Sequence, residues 1–272
     1  VTSSPSVADI DGNGRMEIVF GSDDKNLYTL SDNGTLLWKF TTEGRVTSSP
    51  SVADIDGNGR MEIVFGSDDG NLYVLTGNGD RIFTYSVKSP IESSPAMGDI
   101  NGDQELEIVF GSNNNRVYAI NYRRFLVWIY QTNDDVVSSP VVVDINKDGI
   151  DEIIIGSHDG KIYCLQYSEY QSEDEDIMSR LSTLWSISTG GGVTASPAVG
   201  DINNDGNMEI AIGSEDKNMY ILSDNGDIIR KYTTNSKLHS SPSVADIDGN
   251  GRMEIVFGSD DGILYVLSLI HI

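Results

Sequence analysis

One tripeptide recurs along the whole chain at a nearly constant spacing. Successive copies are 45 residues apart, except for one interval of 57 residues. Copies of Ser-Ser-Pro, or of Ala-Ser-Pro in one case, begin at Ser3, Ser48, Ser93, Ser138, Ala195 and Ser240. A period of this length is typical of proteins that stack one supersecondary unit many times. The sequence therefore predicts six repeats of a single structural unit.

Each period contains four short segments with the composition of β-strands. In the second repeat these segments are 49–54, 61–67, 71–76 and 81–87. Clusters of Gly, Asn and Asp separate them, and these residues tolerate the positive φ of tight turns. No stretch has a helical period. Four antiparallel strands per repeat predict an all-β fold, a β-propeller of four-stranded blades.

We expect one propeller domain over residues 1–272. Its predicted repeats are 1–45, 46–90, 91–135, 136–192, 193–237 and 238–272. The longer interval reflects an acidic insertion at 168–179, which we interpret as a surface loop. Residues 267–272 leave the pattern, and we expect a non-native tail there, with a natural last strand as the alternative. The sixth repeat then stops after its third strand, which leaves the native number of blades open.

Two further features point to packing rather than chemistry. The fourth strand of most repeats carries an aromatic residue at one equivalent position, which predicts packing between blades; the five residues at this position are Trp38, Phe83, Trp128, Trp185 and Arg230. The single cysteine, Cys164, aligns with Val74 of the second repeat, so we expect a core residue rather than a reactive thiol. One cysteine also excludes an intrachain disulfide.

The chain is strongly acidic, with 42 Asp and Glu against 18 Lys and Arg and a formal net charge of -24. Such a surface repels nucleic acid and anionic membranes, so neither is an expected partner. No apolar run approaches the roughly 20 residues needed to cross a bilayer. We therefore predict no membrane insertion within these residues.

Many of the acids lie in one short loop that follows the tripeptide, which we call the acidic loop and number from its first Asp. In the first repeat, side-chain oxygens fall at positions 1, 3, 5 and 9, namely Asp9, Asp11, Asn13 and Glu17. Gly14 at position 6 permits a tight turn. Hard oxygen ligands in this pattern suit Ca²⁺. His and Cys, which softer metals prefer, are absent from the loop.

All six repeats carry the pattern, with a backbone carbonyl available at position 7, so we predict up to six calcium ions. The predicted ligands are Asp9, Asp11, Asn13, Arg15 and Glu17; Asp54, Asp56, Asn58, Arg60 and Glu62; Asp99, Asn101, Asp103, Glu105 and Glu107; Asp144, Asn146, Asp148, Ile150 and Glu152; Asp201, Asn203, Asp205, Asn207 and Glu209; and Asp246, Asp248, Asn250, Arg252 and Glu254.

An EF-hand loop begins in the same way but needs an acid at position 12 and flanking helices. Position 12 is Phe20 in the first repeat, and the flanks are strands, so the EF-hand is excluded. The alternative without metal is a turn rich in Asx hydrogen bonds. The third loop is the weakest candidate, because Gln104 replaces the glycine of position 6.

The stretch DIDGNGRMEIVFGS, present three times, resembles the core of FG-GAP and VCBS repeats, which occur in integrin α-chain propellers and bacterial surface proteins. A Phe-Gly pair follows the loop in four repeats, and Ile-Gly replaces it at 155–156 and 212–213. The second half of each repeat more weakly resembles quinoprotein-type propeller blades. The resemblance implies a calcium-binding propeller with structural ions.

These observations favour a non-enzymatic binding, adhesion or scaffold module at the cell surface or outside the cell. Its expected partner is a protein or glycan, and we expect it to be part of a larger multidomain protein. The alternative is the propeller of a calcium-dependent polysaccharide lyase or a quinoprotein-like dehydrogenase. Against an enzyme, His158, His239 and His271 share no motif, and His158 is interpreted as a turn residue. A specific site is expected where repeats differ, for example at 168–179 or at Arg123 and Arg124.

Overall fold

The computed structural model of the chain describes residues 1–171 and 177–269. These residues form 23 strands and no helix, and the strands are arranged in six antiparallel sheets, one per repeat. The chain divides into two compact units, Val1–Val137 and Ser138–Ile272, and each unit contains three sheets. The all-β class and the six repeats are confirmed. Within the described residues, no helix has the length and hydropathy needed to span a membrane.

The first unit contains three four-stranded sheets, each with its strands in chain order. Sheet 1 consists of β1 (Ser6–Ala8), β2 (Glu17–Gly21), β3 (Asn26–Leu30) and β4 (Leu36–Thr41); sheet 2 of β5 (Ser51–Ala53), β6 (Glu62–Gly66), β7 (Asn71–Thr76) and β8 (Arg81–Ser86); and sheet 3 of β9 (Ala96–Gly98), β10 (Glu107–Ser112), β11 (Arg116–Asn121) and β12 (Leu126–Gln131). The strands predicted in the second repeat are confirmed to within two residues at each end.

The second unit repeats this arrangement, with three strands in its last sheet. Sheet 4 consists of β13 (Val141–Val143), β14 (Glu152–Ser157), β15 (Lys161–Gln171) and β16 (Ile177–Ser188); sheet 5 of β17 (Ala198–Gly200), β18 (Glu209–Gly213), β19 (Asn218–Leu222) and β20 (Ile228–Thr233); and sheet 6 of β21 (Ser243–Ala245), β22 (Glu254–Gly258) and β23 (Leu264–Ser268).

The insertion at 168–179 differs from the surface loop that the sequence predicted. Strands β15 and β16 continue into it from both sides and pair from Lys161 with Ser188 to Gln171 with Ile177. The insertion therefore lengthens a hairpin, and its centre, 172–176, lies outside the described residues. In the expected tail, Leu267 and Ser268 belong to β23 and pair with Ile255 and Glu254. Residues 270–272 lie outside the described part.

The second strands of all six sheets and the third strands of sheets 1 to 5 supply most of the buried apolar residues. All five residues of β6 are buried, and its partner β7 buries Leu72, Tyr73, Val74 and Leu75. Strands that are buried on both faces read as continuous apolar runs rather than as alternating ones. The fourth strands alternate between exposed and partly buried residues, as in β4 and β20. This gradient explains why the runs EIVFG and NLYVL are the most apolar parts of a repeat.

Within each unit, the recurring tripeptide joins one sheet to the next. The Oγ of Ser48 accepts the N–H of Gly66 in its own repeat at 3.0 Å. The N–H of Ser49 donates to the Oγ of Ser94 in the following sheet at 2.9 Å. The same bond runs from Ser196 to Ser241 in the second unit at 2.9 Å. The tripeptide is thus repeated because neighbouring sheets within a unit need the same polar connection.

The glycine of the Phe-Gly pair is required by close packing between sheets. A Cβ atom on Gly66 would lie 2.5 Å from the carbonyl oxygen of Ile91 and 2.4 Å from its Cγ2. Gly21 and Gly111 meet Val46 and Val136 in the same way. Contacts under about 3 Å to backbone atoms cannot be relieved by side-chain rotation, so larger residues are excluded here.

The aromatic residues of the fourth strands pack between sheets, as predicted, where the described contacts show them. The Nε1–H of Trp38 donates to the carbonyl of Gly77 in the next sheet at 3.1 Å, and Trp185 donates to Asp224 at 2.8 Å. Cys164 is fully buried among core residues, as expected. Burial raises the pKa of its thiol well above the ordinary value, which keeps it unreactive.

Candidate metal centres

Each acidic loop joins the first and second strands of its sheet and is held in shape by its own first carboxylate. In the second loop, the carboxylate of Asp54 accepts the N–H of Asn58 at 2.9 Å and of Gly59 at 2.7 Å. Gly59 has a φ of 84°, which L residues adopt only at a cost. The Asp at position 1 and the Gly at position 6 therefore close the loop together.

The glutamate at position 9 is the buried member of every loop. It is the first residue of the second strand and is at most 5% exposed; the six are Glu17, Glu62, Glu107, Glu152, Glu209 and Glu254. One carboxylate oxygen accepts the N–H of the residue at position 2, as from Ile55 to Glu62 at 3.0 Å. This bond fixes the side chain so that its other oxygen is available to the loop.

Burial raises the pKa of the position-9 carboxylate in four loops, so that its anion is unfavourable without a cation; these are Glu62, Glu107, Glu152 and Glu209. Burial first, and the neighbouring Asp103 second, raise the pKa of Glu107 to about 8. Burial and Asp148 likewise raise the pKa of Glu152 to about 7. A nearby positive charge favours the ionised form of such a group. The loops thus place an ionisable oxygen where a bound cation would be strongly stabilising.

Three of the loops bring three carboxylates together. One ligand oxygen from each acid lies within 4.8 Å of the other two in three groups: Asp9, Asp11 and Glu17; Asp54, Asp56 and Glu62; and Asp246, Asp248 and Glu254. These are the loops of repeats one, two and six, which are identical in sequence. Oxygens at this separation can be drawn onto one Ca²⁺ at its usual distance of about 2.4 Å.

The other three loops have Asn at position 3 and Asp at position 5, and their amides lie between the acids. The Nδ2 of Asn146 donates to Asp148 and to Glu152, both at 3.0 Å. Asn203 and Asn101 make the same pair of bonds to their own position-5 and position-9 acids. The amide hydrogens thus supply the positive partial charge that the carboxylates require. We call these the amide-bridged loops.

The remaining predicted residues occupy the expected places around the loop. The N–H of the position-7 residue donates to the position-5 side chain, as from Arg15 to Asn13 at 2.9 Å. Gln104 adopts the left-handed conformation of the missing glycine, with a φ of 69°, and its N–H still binds Asp99 at 2.8 Å. The third loop therefore keeps its shape without glycine. The ligand role of the position-7 carbonyls stays a prediction.

An open groove lies beside two of these loops in the first unit. Its volume is about 1120 Å³, and it is lined by residues of sheets 1 and 2. Asp11 and Asp56 lie on its wall with Arg60, while Met16 and Ile82 provide apolar surface. The wall of the groove thus combines carboxylates, one guanidinium and apolar side chains.

The sequence reasoning missed a second cluster, in the second unit. His158 lies in the β14–β15 turn, as predicted, but its imidazole and that of His239, for which no role was predicted, both face the carboxylate of Glu215. His158 stands where the second repeat has Asp68, and His239 stands where it has Thr47. These departures from the repeat pattern are the signal that could have identified the two histidines.

Comparison with known proteins supports the repeat assignment. The family model described as FG-GAP-like repeat matches residues 9–65, 54–110, 144–212 and 201–257. Each match runs from one acidic loop to the second strand of the next repeat. Together the matches cover more than half of the chain. No curated protein sequence matches it.

Solved structures with a similar fold include two β-propellers. BamB from Moraxella catarrhalis is 17% identical with a TM-score of 0.56, and the alignment covers 100% of this chain and 84% of that chain. BBS1N, solved in complex with ARL6DN and soaked with lead, is 11% identical with a TM-score of 0.60, and the alignment covers 97% and 91%. At these identities the likeness concerns the fold.

Proposed function

The chain belongs to the FG-GAP-like repeat family, and from that membership we propose that it is a calcium-stabilised β-propeller that acts as a binding module outside the cell. One observation carries this proposal. Three identical loops each gather three carboxylates within 4.8 Å, and one of the three is buried. Such a set of oxygens is unfavourable without a cation and suits Ca²⁺ with it.

The calcium would be structural. The loop connects two strands of one sheet. The ion would keep the position-9 glutamate ionised and would hold it close to the earlier residues of the same loop. The formal charge of -24 supports the same reading, because crowded acids destabilise a compact state unless counter-ions reduce their repulsion. Calcium affinities of roughly 10⁻⁴–10⁻³ M are typical of extracellular modules. FG-GAP repeats are also typical of extracellular proteins.

We place a protein or glycan ligand in the groove of the first unit. The two loops that border it are of the three-carboxylate type, so bound calcium would shape the groove wall and neutralise part of its charge. The module is proposed to be non-enzymatic, since three of the six loops are identical copies and a catalytic centre needs one copy with chemistry of its own. Assays of quinone-dependent oxidation and of polysaccharide cleavage are expected to show no turnover.

The proposal is tested by titrating the chelated protein with Ca²⁺ and following both stoichiometry and melting. Isothermal titration calorimetry should find about three ions per chain, and the melting temperature should rise with calcium concentration as mass action requires. Mg²⁺ at equal concentration is the control, because its rigid octahedral shell fits such loops poorly. A melting temperature that is unchanged by chelation and by added calcium would contradict the proposal.

A further inference from the structure

The groove between sheets 1 and 2, which we call the open groove, has a counterpart between sheets 2 and 3. Eight residues line the counterpart, and each lies 45 residues after a residue that lines the open groove; Glu105 corresponds to Arg60, and Tyr122 to Gly77. The volume of the counterpart is only about 120 Å³, compared with about 1120 Å³ for the open groove. We call the counterpart the filled groove.

The β11–β12 turn of sheet 3 brings larger side chains to the filled groove than its equivalent in sheet 2. Its backbone closes by the same hydrogen bonds as the β7–β8 turn, and Arg124 takes the left-handed conformation of the glycine there, with a φ of 68°. The side chains differ, since Tyr122 and Arg123 replace Gly77 and Asn78. This turn therefore adds an aromatic ring and a guanidinium beside the acidic loop.

These two side chains are held by contacts that a bound molecule could reproduce. Tyr122 packs against the core cluster that contains Ile55 and lines the remaining space. Arg123 lies over the Tyr122 ring, with its guanidinium carbon 4.8 Å from the ring centre, and its Nη2 donates to Oε1 of Glu105 at 3.1 Å. The filled groove thus shows what this architecture accommodates: an aromatic ring on apolar residues and a charged group that pairs with loop position 7.

The open groove leaves the corresponding apolar wall uncovered. Val7, Met16 and Ile82 line it and are 61%, 56% and 47% exposed. Exposed apolar surface with polar residues around it is typical of an interaction site. The turn of sheet 2 cannot cover this wall with a side chain at the position of Tyr122, because a Cβ atom on Gly77 would overlap the carbonyl oxygen of Ile10. A group that covers the wall therefore has to come from outside this turn.

The charge at loop position 7 is reversed between the two grooves. Glu105 stands there in the filled groove and pairs with Arg123, whereas Arg60 stands there in the open groove. Arg60 is exposed, and the described contacts give its guanidinium no partner. The nearby acids are already engaged, since Asp11 and Asp56 accept N–H groups within their own loops. Charge complementarity at Arg60 therefore calls for a carboxylate on the ligand.

We propose that the open groove binds a protein segment that carries an aromatic side chain next to a carboxylate, with the ring against Met16 and Ile82 and the carboxylate on Arg60. This rests on the proposed function, since it names the ligand of the same groove. A protein segment is favoured over a glycan, because the side chains in the filled groove belong to a peptide turn. Aromatic residues in apolar sites with a polar rim commonly dominate the affinity of protein interfaces.

The test titrates three short peptides into the whole chain in saturating Ca²⁺. Their sequences are Asn-Tyr-Glu-Glu-Phe, Asn-Tyr-Gln-Gln-Phe and Asn-Tyr-Arg-Arg-Phe, which differ only in charge, and the last is that of the β11–β12 turn. NMR of labelled methionine methyl groups locates the binding, because Met16 and Met61 line the open groove and Met219 is buried in sheet 5.

We expect the signals of Met16 and Met61 to shift and that of Met219 to stay in place. The acidic peptide should bind about two- to fivefold more tightly than the neutral one, as expected for one exposed ion pair, and the basic peptide should bind most weakly.

Variants at one position should reverse this preference. Arg60→Gln should remove the advantage of the acidic peptide, and Arg60→Glu, which copies the filled groove, should make the basic peptide bind best. Asp80→Asn removes an acid from the wall of the open groove and should strengthen binding of the acidic peptide. The matched control is Arg116→Gln, which makes the same charge change at the other end of sheet 3 and should leave the affinity unchanged.

Three results would overturn the proposal. The first is that the signals of Met16 and Met61 do not move with the acidic peptide at millimolar concentration. The second is a charge preference that Arg60→Glu leaves unchanged. The third is a polyuronate oligosaccharide that shifts the same signals at a lower concentration than the acidic peptide, which would make the ligand a glycan. The melting temperature of the same samples with and without Ca²⁺ tests the calcium role separately, so the two failures are distinguishable.

Discussion

Asn146→Asp in the fourth acidic loop tests whether an amide takes the place of an ion there. The substitution keeps the shape of the side chain but removes its two N–H bonds, to Asp148 and Glu152, and adds a negative charge to the three of Asp144, Asp148 and Glu152. Hydrogen bonds to charged groups contribute about 1.5–3 kcal/mol each, and the exposure of Asn146 favours the lower value. Without calcium, we therefore expect a loss of roughly 3 kcal/mol in the free energy of unfolding.

Calcium should recover much of that loss, because the variant loop has the three acids of the three-carboxylate type at positions 1, 3 and 9, and Asp148 at position 5 in addition. Binding to the native state stabilises by RT ln(1 + [L]/Kd), which is about 1.4 kcal/mol at ten times Kd and 2.7 at a hundred times Kd. At about 2–4 °C per kcal/mol, the substitution should lower the melting temperature in chelator by about 6–12 °C. Calcium should then raise the melting temperature of the variant by about 3–10 °C more than it raises that of the wild type.

Differential scanning calorimetry with chelator and with a calcium series measures both quantities. Asn33→Asp is the matched control: Asn33 uses only its Oδ1, which accepts from Thr35, and Asp keeps that acceptor. Asp56→Asn is the reciprocal change and should reduce the calcium response of the second loop. The reasoning fails if Asn146→Asp melts like the wild type in chelator, or if its calcium response does not exceed that of the wild type.

Three further outcomes follow from the same contacts. Gly66→Ala should lower the free energy of unfolding by about 1–3 kcal/mol or more, because its Cβ would be overpacked. Gly57→Ala has no atom within 4 Å of its new Cβ and should lower it by only about 1 kcal/mol, because of its φ of 72°. Equal losses in urea unfolding would contradict this. The pKa of Glu107 lies near 8 in the folded state against 4.5 for the ordinary side chain, so its contribution to stability is complete below pH 4.5 and is lost as pH rises to 8. The melting temperature in chelator should therefore be lower at pH 8 than at pH 6. Ser49→Ala removes the acceptor of an N–H from sheet 1 and should cost about 1–2 kcal/mol, which thermal unfolding measures.

The repeat, the strands and the loop positions could be predicted because each is a local pattern that recurs. The division of the loops into two kinds could not. Asp and Asn were treated as equivalent at positions 3 and 5, since both offer oxygen. In the structure their order matters: Asn at position 3 directs its Nδ2 to two acids, as in Asn146, whereas Asp56 at that position joins a carboxylate group. Only the folded loop shows which neighbours the amide reaches.

The insertion and the histidine cluster escaped prediction for a different reason, which is that both depend on pairing over distance. Acidic residues at 168–179 are compatible with a loop or a longer hairpin, and cross-strand pairing decides between them. His158, Glu215 and His239 come from three repeats and from two non-equivalent positions. A periodic alignment compares equivalent positions, so it cannot show that non-equivalent ones meet.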